Sequence, residues 1–149
     1  MVMNIDVNCI LNYSDVKFLL DKFGNLFVPV LSSEVDIDEY SKKLSEKAKF
    51  TIARNPETNE IVGFISFYEN LENHSYFFSL MAILPDYQHS GLGHIMMNRM
   101  KAELDGKRIK KIVFEVHKNN TKALSFHLRN GYVVCEDRGN KVLMEYLPK

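Results

Sequence analysis

The sequence predicts an α/β protein, a single domain (residues 1–149) built on a mixed β-sheet with helices on both faces. Three observations carry this. The chain has 149 residues, the length of one ordinary domain with one core. Apolar periodicity changes along it in the order strand, two helices, three strands, helix, strand, helix, two strands, which is the pattern of a sheet covered by helices. Residues Ser75 to Leu84 form an apolar run rich in aromatics and stopped by Pro85-Asp86, as a central strand buried on both faces would be.

The elements follow in order. Asn4 to Leu11 alternate loosely and end at Asn12-Tyr13-Ser14-Asp15, where Ser14 is placed to cap a helix carrying Val16, Leu19, Leu20 and Phe23. Gly24 ends that helix, and Asn25 to Ser33, which contains Pro29, reads as irregular. Asp36 is placed to cap a second helix with Ile37, Tyr40, Leu44 and Ala48 on one face. Phe50 to Ala53 and Ile61 to Tyr68 read as a hairpin around the turn residues 55–60, and the polar stretch Glu69 to His74 leads into the central strand. From Ser90 onward Leu92, Ile95, Met96, Met100 and Leu104 recur at three- and four-residue steps until Asp105-Gly106, which predicts a long helix. Ile109 to Val116 is a strand and Thr121 to Arg129 a helix closed by Asn130-Gly131. Tyr132 to Glu136 and Val142 to Tyr146 are strands around Arg138-Gly139-Asn140.

Composition narrows the functional classes. Apolar residues make up 46% and charged residues 26%, the mix of a globular fold, and the formal net charge is zero, which removes the electrostatic footprint of a nucleic-acid binder. No basic stretch precedes an apolar run at the start, and nowhere do eighteen apolar residues follow one another, so a cytoplasmic protein without a membrane partner is expected. Cys9 and Cys135 are too far apart in sequence for a zinc or redox pair, and the five histidines form no H-E-x-x-H pattern, so no metal site is expected.

The segment from Ile83 to His94 joins the central strand to the long helix through Gln88-His89-Ser90-Gly91-Leu92-Gly93-His94. A helix start presents unpaired N–H groups and about half a positive charge, so an anion there gains hydrogen bonds and dipole energy together. Gly91 and Gly93 carry no Cβ and let phosphate oxygens approach the backbone. No Gly-Lys-Ser/Thr is present, and no third glycine completes G-x-G-x-x-G, so a P-loop and a dinucleotide fingerprint are both excluded. Pyrophosphate suits such a site, with an ordinary capped turn as the alternative.

Gln88, Gly91 and Gly93 fill the Q/R-x-x-G-x-G/A signature, and Asn120, Ala123, Phe126, Gly131 and Tyr132 match a second block, Asn-x-x-Ala followed by an aromatic and then Gly-Tyr. In both blocks the sequence resembles the GNAT superfamily of acetyl-CoA-dependent N-acetyltransferases, most closely from Phe64 to Tyr146. The resemblance implies a mostly antiparallel sheet in which two central parallel strands splay into a V, with acetyl-CoA as co-substrate. It places the cofactor at Met81, Ala82, Ile83, Gln88, His89, Ser90, Gly91, Leu92, Gly93, His94, Asn120 and Phe126. Lys101, Lys107, Arg108, Lys110 and Lys111 form a local basic patch after the long helix, open to two readings, a solvated surface or cations for the coenzyme's 3′-phosphate.

The family usually serves the departing thiolate with a tyrosine four residues after the motif alanine. His127 stands there in this chain, and the resemblance assigns it that catalytic role as an imidazolium. The family's carboxylate base is missing from Tyr76 to Ile83, which leaves Glu69, Glu72, His74 and Glu115 open as alternatives. Glu34, Asp36, Asp38 and Glu39 cluster where the family places its acceptor, so a cationic small-molecule amine, such as an amino-sugar nucleotide, is expected, bound by a monomer or homodimer. The alternatives are a protein-amine acetyltransferase and a non-catalytic acyl-CoA-binding module.

Overall fold

The computed structural model describes residues 2–70, 72–107 and 109–147, without the side chains of Leu104, Asp105 and Lys107. In chain order the elements are β1 (Asn4–Cys9), α1 (Tyr13–Phe23), α2 (Ile37–Lys47), β2 (Lys49–Arg54), β3 (Ile61–Asn70), β4 (Ser75–Ile83), α3 (Leu92–Lys107), β5 (Lys111–His117), α4 (Thr121–Arg129), β6 (Val133–Arg138) and β7 (Lys141–Tyr146). The strands form one sheet in the order β1-β2-β3-β4-β5-β7-β6. Every neighbouring pair is antiparallel except β4 and β5, whose parallel pairing requires the crossover that α3 supplies.

Two apolar clusters cover the two faces. On one, Val16, Leu19, Leu20 and Phe23 of α1 and Leu44 of α2 pack on Phe50, Ile52 and Phe64, with the Phe23 and Phe64 rings edge-on at 5.1 Å. On the other, Met96, Met97 and Met100 of α3 pack against Ile65, Phe67, Tyr76 and Phe78, and the same cluster continues through Ile112, Phe114 and Val116 beneath α4. The buried stripe of α3 runs through Met97 rather than Ile95, which is 49% exposed. Helix α1 is capped by Asn12 rather than Ser14, since Asn12 Oδ1 accepts from Asp15 N at 2.9 Å. Asp36 caps α2 as expected, accepting from Glu39 N.

Strand β4 departs from the prediction in a way that matters for function. Its register with β3 runs Ser66↔Leu80 and then Phe67↔Phe78, leaving Ser79 as an extra residue in a β-bulge. Pairing with β5 ends at Phe78↔Phe114. A bulge bends its strand, so β4 continues to Ile83 with no strand beside it on that edge, and Ser79, Leu80, Met81 and Ile83 are only half-buried. The strand is central, but beyond the stretch that β5 accompanies only Ala82 of its residues is buried.

Candidate active site

The divergence of β4 from β5 opens a cleft of about 1130 Å³ walled by Met81, Ala82 and Ile83, by residues 87–89 and 91–94, and by Asn120, Ala123, Phe126, His127 and neighbours on α4; Ser90, expected at the cofactor, does not line it. The loop at its floor is shaped by its own hydrogen bonds. Gln88 Nε2 donates to the Ile83 carbonyl at 2.9 Å, and Ser90 Oγ donates to the Tyr87 carbonyl. His89 and Gly91 take positive φ values of 63° and 85°, a conformation that an L residue other than Gly or Asn adopts at a cost. The first helical bond of α3 is Ile95 N to Gly91 O at 3.0 Å, so the N–H groups of Leu92, Gly93 and His94 lie ahead of the ladder at the cleft floor.

The two motif glycines act differently. A Cβ on Gly91 would meet nothing within 4 Å, which leaves space above the helix start for a ligand. A Cβ on Gly93 would lie 3.0 Å from the Phe126 ring and 3.2 Å from Ile83, so Gly93 permits α3 to approach α4 and β4. His94 fastens the same junction, with Nδ1 2.7 Å from Asn130 Oδ1 and Nε2 3.1 Å from Asn98 Nδ2. Asn120 is the N-cap of α4, its Oδ1 accepting from Ala123 N at 3.2 Å, which leaves the Nδ2 donors for a ligand.

A second, smaller cavity of about 140 Å³ lies within the splay itself, lined by Phe27 and Val28 from the α1–α2 connection, Ser79 at the bulge, and Glu115 and His117 of β5. Val28, Met81, Asn120, Ala123 and His127 line both spaces, so the two cavities meet at the start of α4. His127 therefore stands at their junction. Its ring lies 4.2 Å from Phe114, 5.2 Å from Phe126 and 5.6 Å from Tyr132, centre to centre. Burial there pushes its pKa down to about 4, and Nδ1 is buried with no hydrogen-bond partner. The ring is neutral at neutral pH, so the resting imidazolium expected from sequence is replaced by a neutral imidazole.

The structure separates the other sequence candidates by topology. The cleft opens at the C-terminal end of β4, whereas Glu72 and His74 precede its start and Glu69 pairs with Tyr76. Each is at least three residues from Ser79, roughly 10 Å or more at 3.3 Å per residue. Lys110 and Lys111 lie at that same far end, where Lys111 pairs with Ser75, and Lys101 donates to the Asn130 carbonyl while sitting 4.3 Å from the Tyr146 ring centre. Arg108 and the Lys107 side chain lie outside the described residues. The cations on the cleft wall are instead Lys122 and Arg129 of α4. Among the acidic cluster, Asp36 is a cap, Asp38 pairs with Lys17 at 3.5 Å, and Glu34 Oε1 reaches to 3.0 Å from His117 Nε2 beside the small cavity.

The Acetyltransferase (GNAT) family model matches residues 18–132. The chain belongs to this family. No curated protein matches the sequence. Among solved structures, the PaiA N-acetyltransferase of Thermoplasma acidophilum in complex with coenzyme A superposes with a TM-score of 0.78 at 18% identity, covering 99% of each chain. The ribosomal-protein-S18-alanine N-acetyltransferase of Escherichia coli gives 0.76 at 15% identity, covering 99% of this chain and 95% of that one. A spermidine N-acetyltransferase chimera from Vibrio cholerae and hSSAT gives 0.72 at 16%, covering 98% and 95%. These likenesses establish the GNAT fold, with its single parallel pair and the splay beyond it.

For this GNAT acetyltransferase, the sequence did not mark Lys122, Arg129 and His117 as lining residues, whereas Val28 falls in the Leu26-to-Glu39 segment that the resemblance sets on the acceptor side. Lys122 carried a readable signal, two positions after the motif Asn120. His117 carried none, because nothing along the chain shows which residue at the end of β5 meets the α1–α2 connection. No helix among the described residues is long and apolar enough to cross a membrane.

Proposed function

We propose that the protein transfers the acetyl group of acetyl-CoA to a primary amine on a small molecule. The observation that carries this reading is the meeting of two cavities at the splay, a large one floored by an anion-binding helix start and a small one flanked by Glu34, Glu115 and His117. The pyrophosphate would lie over Gly91 against the N–H groups of Leu92, Gly93 and His94, with Lys122 and Arg129 supplying positive charge. The unaccompanied edge of β4 at Met81, Ala82 and Ile83 offers backbone partners to the pantetheine amides, and Asn120 Nδ2 can donate to the same arm.

The small cavity admits an aminoalkyl tip, and the carboxylates near it favour a group that is cationic at neutral pH. The amine nitrogen attacks the acetyl carbonyl, polarised by N–H groups of the β4 edge, and the C–N bond forms as the C–S bond breaks. A thiol with an ordinary pKa near 8.5 can leave as the thiolate, so a neutral His127 N–H need supply only a hydrogen bond to the sulfur. The spermidine and coenzyme A named for two of the structural neighbours support this pairing of substrates.

Two measurements test the reading. Calorimetry should show acetyl-CoA binding, and thiol release should rise when a polyamine, an aminoglycoside, an amino-sugar nucleotide or an N-terminal alanine peptide is added. Binding without amine-dependent thiol release from any of them would overturn acyl transfer, and activity confined to the peptide would replace the small-molecule acceptor with a protein amine.

A further inference from the structure

We infer that His117 takes the proton from the attacking amine and that Glu34 is the carboxylate that positions it, an inference that rests on the acyl-transfer reading above. His117 is the last residue of β5. Strand alternation puts Ile112, Phe114 and Val116 on the core face and Val113, Glu115 and His117 on the other. Its backbone is fixed, with its carbonyl accepting from Asn120 N at 2.9 Å and its register set opposite Lys141. The side chain is only 15% exposed and lines the small cavity that ends at His127.

Glu34 reaches it from the α1–α2 connection, where a 3₁₀ turn holds the Glu34 backbone through Glu34 N to Leu31 O at 3.0 Å. His117 Nε2 lies 3.0 Å from Glu34 Oε1, and this buried nitrogen makes no hydrogen bond. The contact is an electrostatic one. A carboxylate beside Nε2 favours the tautomer with its proton there, which leaves the lone pair on Nδ1.

The alternatives around the cavity are already engaged. Glu115 is held by Arg138 at 3.2 Å, and that guanidinium also binds Glu136. His127 is a poor base because burial depresses its proton affinity. Lys141, in register across β7, and Lys118, paired with Asp137, are cations. Among the described residues the charged and titratable groups around His117 are thus Glu34, Glu115, Arg138, Lys118, Lys141 and His127, and of these Glu34 is the one paired with its ring.

An alkylammonium holds its proton more tightly than an imidazole does, so its first proton goes to solvent and the neutral amine is the species that attacks; the second proton moves to His117 as the C–N bond forms, when the nitrogen becomes positive and acidic. The amine lone pair forms the C–N bond, the C–S electron pair leaves with sulfur, and the N–H proton passes to His117 Nδ1. Solvent or the thiolate then takes that proton, so the net products are the amide and free thiol.

The experiment uses the full chain, with acetyl-CoA affinity by calorimetry measured beside turnover of the best amine in the panel. His117→Gln should lower kcat/KM for the amine 100-fold or more while acetyl-CoA affinity changes less than twofold. Added imidazole should restore at least a tenth of wild-type turnover to His117→Ala. Glu34→Gln should lower kcat/KM about 10-fold with acetyl-CoA affinity unchanged, and Glu34→Asp should recover part of the loss. His117→Gln within threefold of wild type, or His117→Ala inactive and unmoved by imidazole, overturns His117 as the base. A wild type that binds acetyl-CoA but acetylates no amine overturns the acyl-transfer reading itself, and the base falls with it.

Discussion

His127 makes the stability of the fold depend on pH in a way that one substitution can isolate. In the unfolded chain its imidazole titrates near the ordinary value of 6.5, whereas burial among Phe114, Phe126 and Tyr132 lowers it to about 4 in the folded protein. Between those two values the unfolded state binds the extra proton. Stability from this site is therefore complete above about pH 6.5 and falls as pH drops towards 4, at up to about 1.4 kcal/mol per pH unit. From pH 7 to pH 5 the loss comes to about 2 kcal/mol, and the limiting loss below pH 4 is about 3 kcal/mol.

His127→Phe removes the titration while keeping a ring in the same aromatic surroundings, and it also removes the buried Nδ1 that lacks a partner. Urea unfolding of both proteins at half-unit steps from pH 7.5 to 4.5 measures the effect, because the other titrating groups are common to both and cancel in the difference. The difference in unfolding free energy should shift in favour of the variant by about 2 kcal/mol between pH 7 and pH 5. A difference that stays constant within about 0.5 kcal/mol over that range would mean that His127 titrates normally, in a hydrated site open to water.

The remaining predictions concern the cofactor cleft and the acceptor side. Asn120→Asp should keep the α4 cap and lose acetyl-CoA affinity through its missing Nδ2 donors, whereas Asn120→Ala should also cost about 1 kcal/mol of stability, read by calorimetry and urea titration together. Gly91→Ala should weaken acetyl-CoA binding and lower stability by about 1–2 kcal/mol from its positive φ alone, since no atom lies near the new Cβ. Gly93→Ala should destabilise through the collision with Phe126 and Ile83, visible as a lower melting temperature without ligand. Asp38→Asn should leave the Michaelis constant of the amine unchanged, because that carboxylate faces Lys17 and Tyr13; a rise of more than threefold would return it to the acceptor site.

Much of this architecture was legible because it is local. The periodicity of Val16, Leu19, Leu20 and Phe23 requires an amphipathic helix wherever α1 sits, and a Pro85-to-Gly93 turn between an apolar strand and a helix makes an anion site from backbone geometry alone. The two signature blocks added the family and so the expected splay. Capping was less legible, since Asn12 and Ser14 are both competent caps and only the path of the chain out of β1 selects Asn12.

What the tertiary structure decided depends on distances between residues far apart in sequence. The sequence by itself determined the order of elements, the helix start that faces phosphate, and the position of His127 one turn beyond Ala123. It could not show that His127 is neutral, because its proton affinity is set by Phe114 on β5 and Tyr132 beyond α4, which desolvate the ring only once the sheet has closed. Nor could it show that Glu34 and His117, separated by most of the chain, meet at the small cavity while Asp36 and Asp38 are engaged elsewhere. Backbone preference is written into neighbours along the chain, whereas dielectric environment and charge pairing are properties of the folded space.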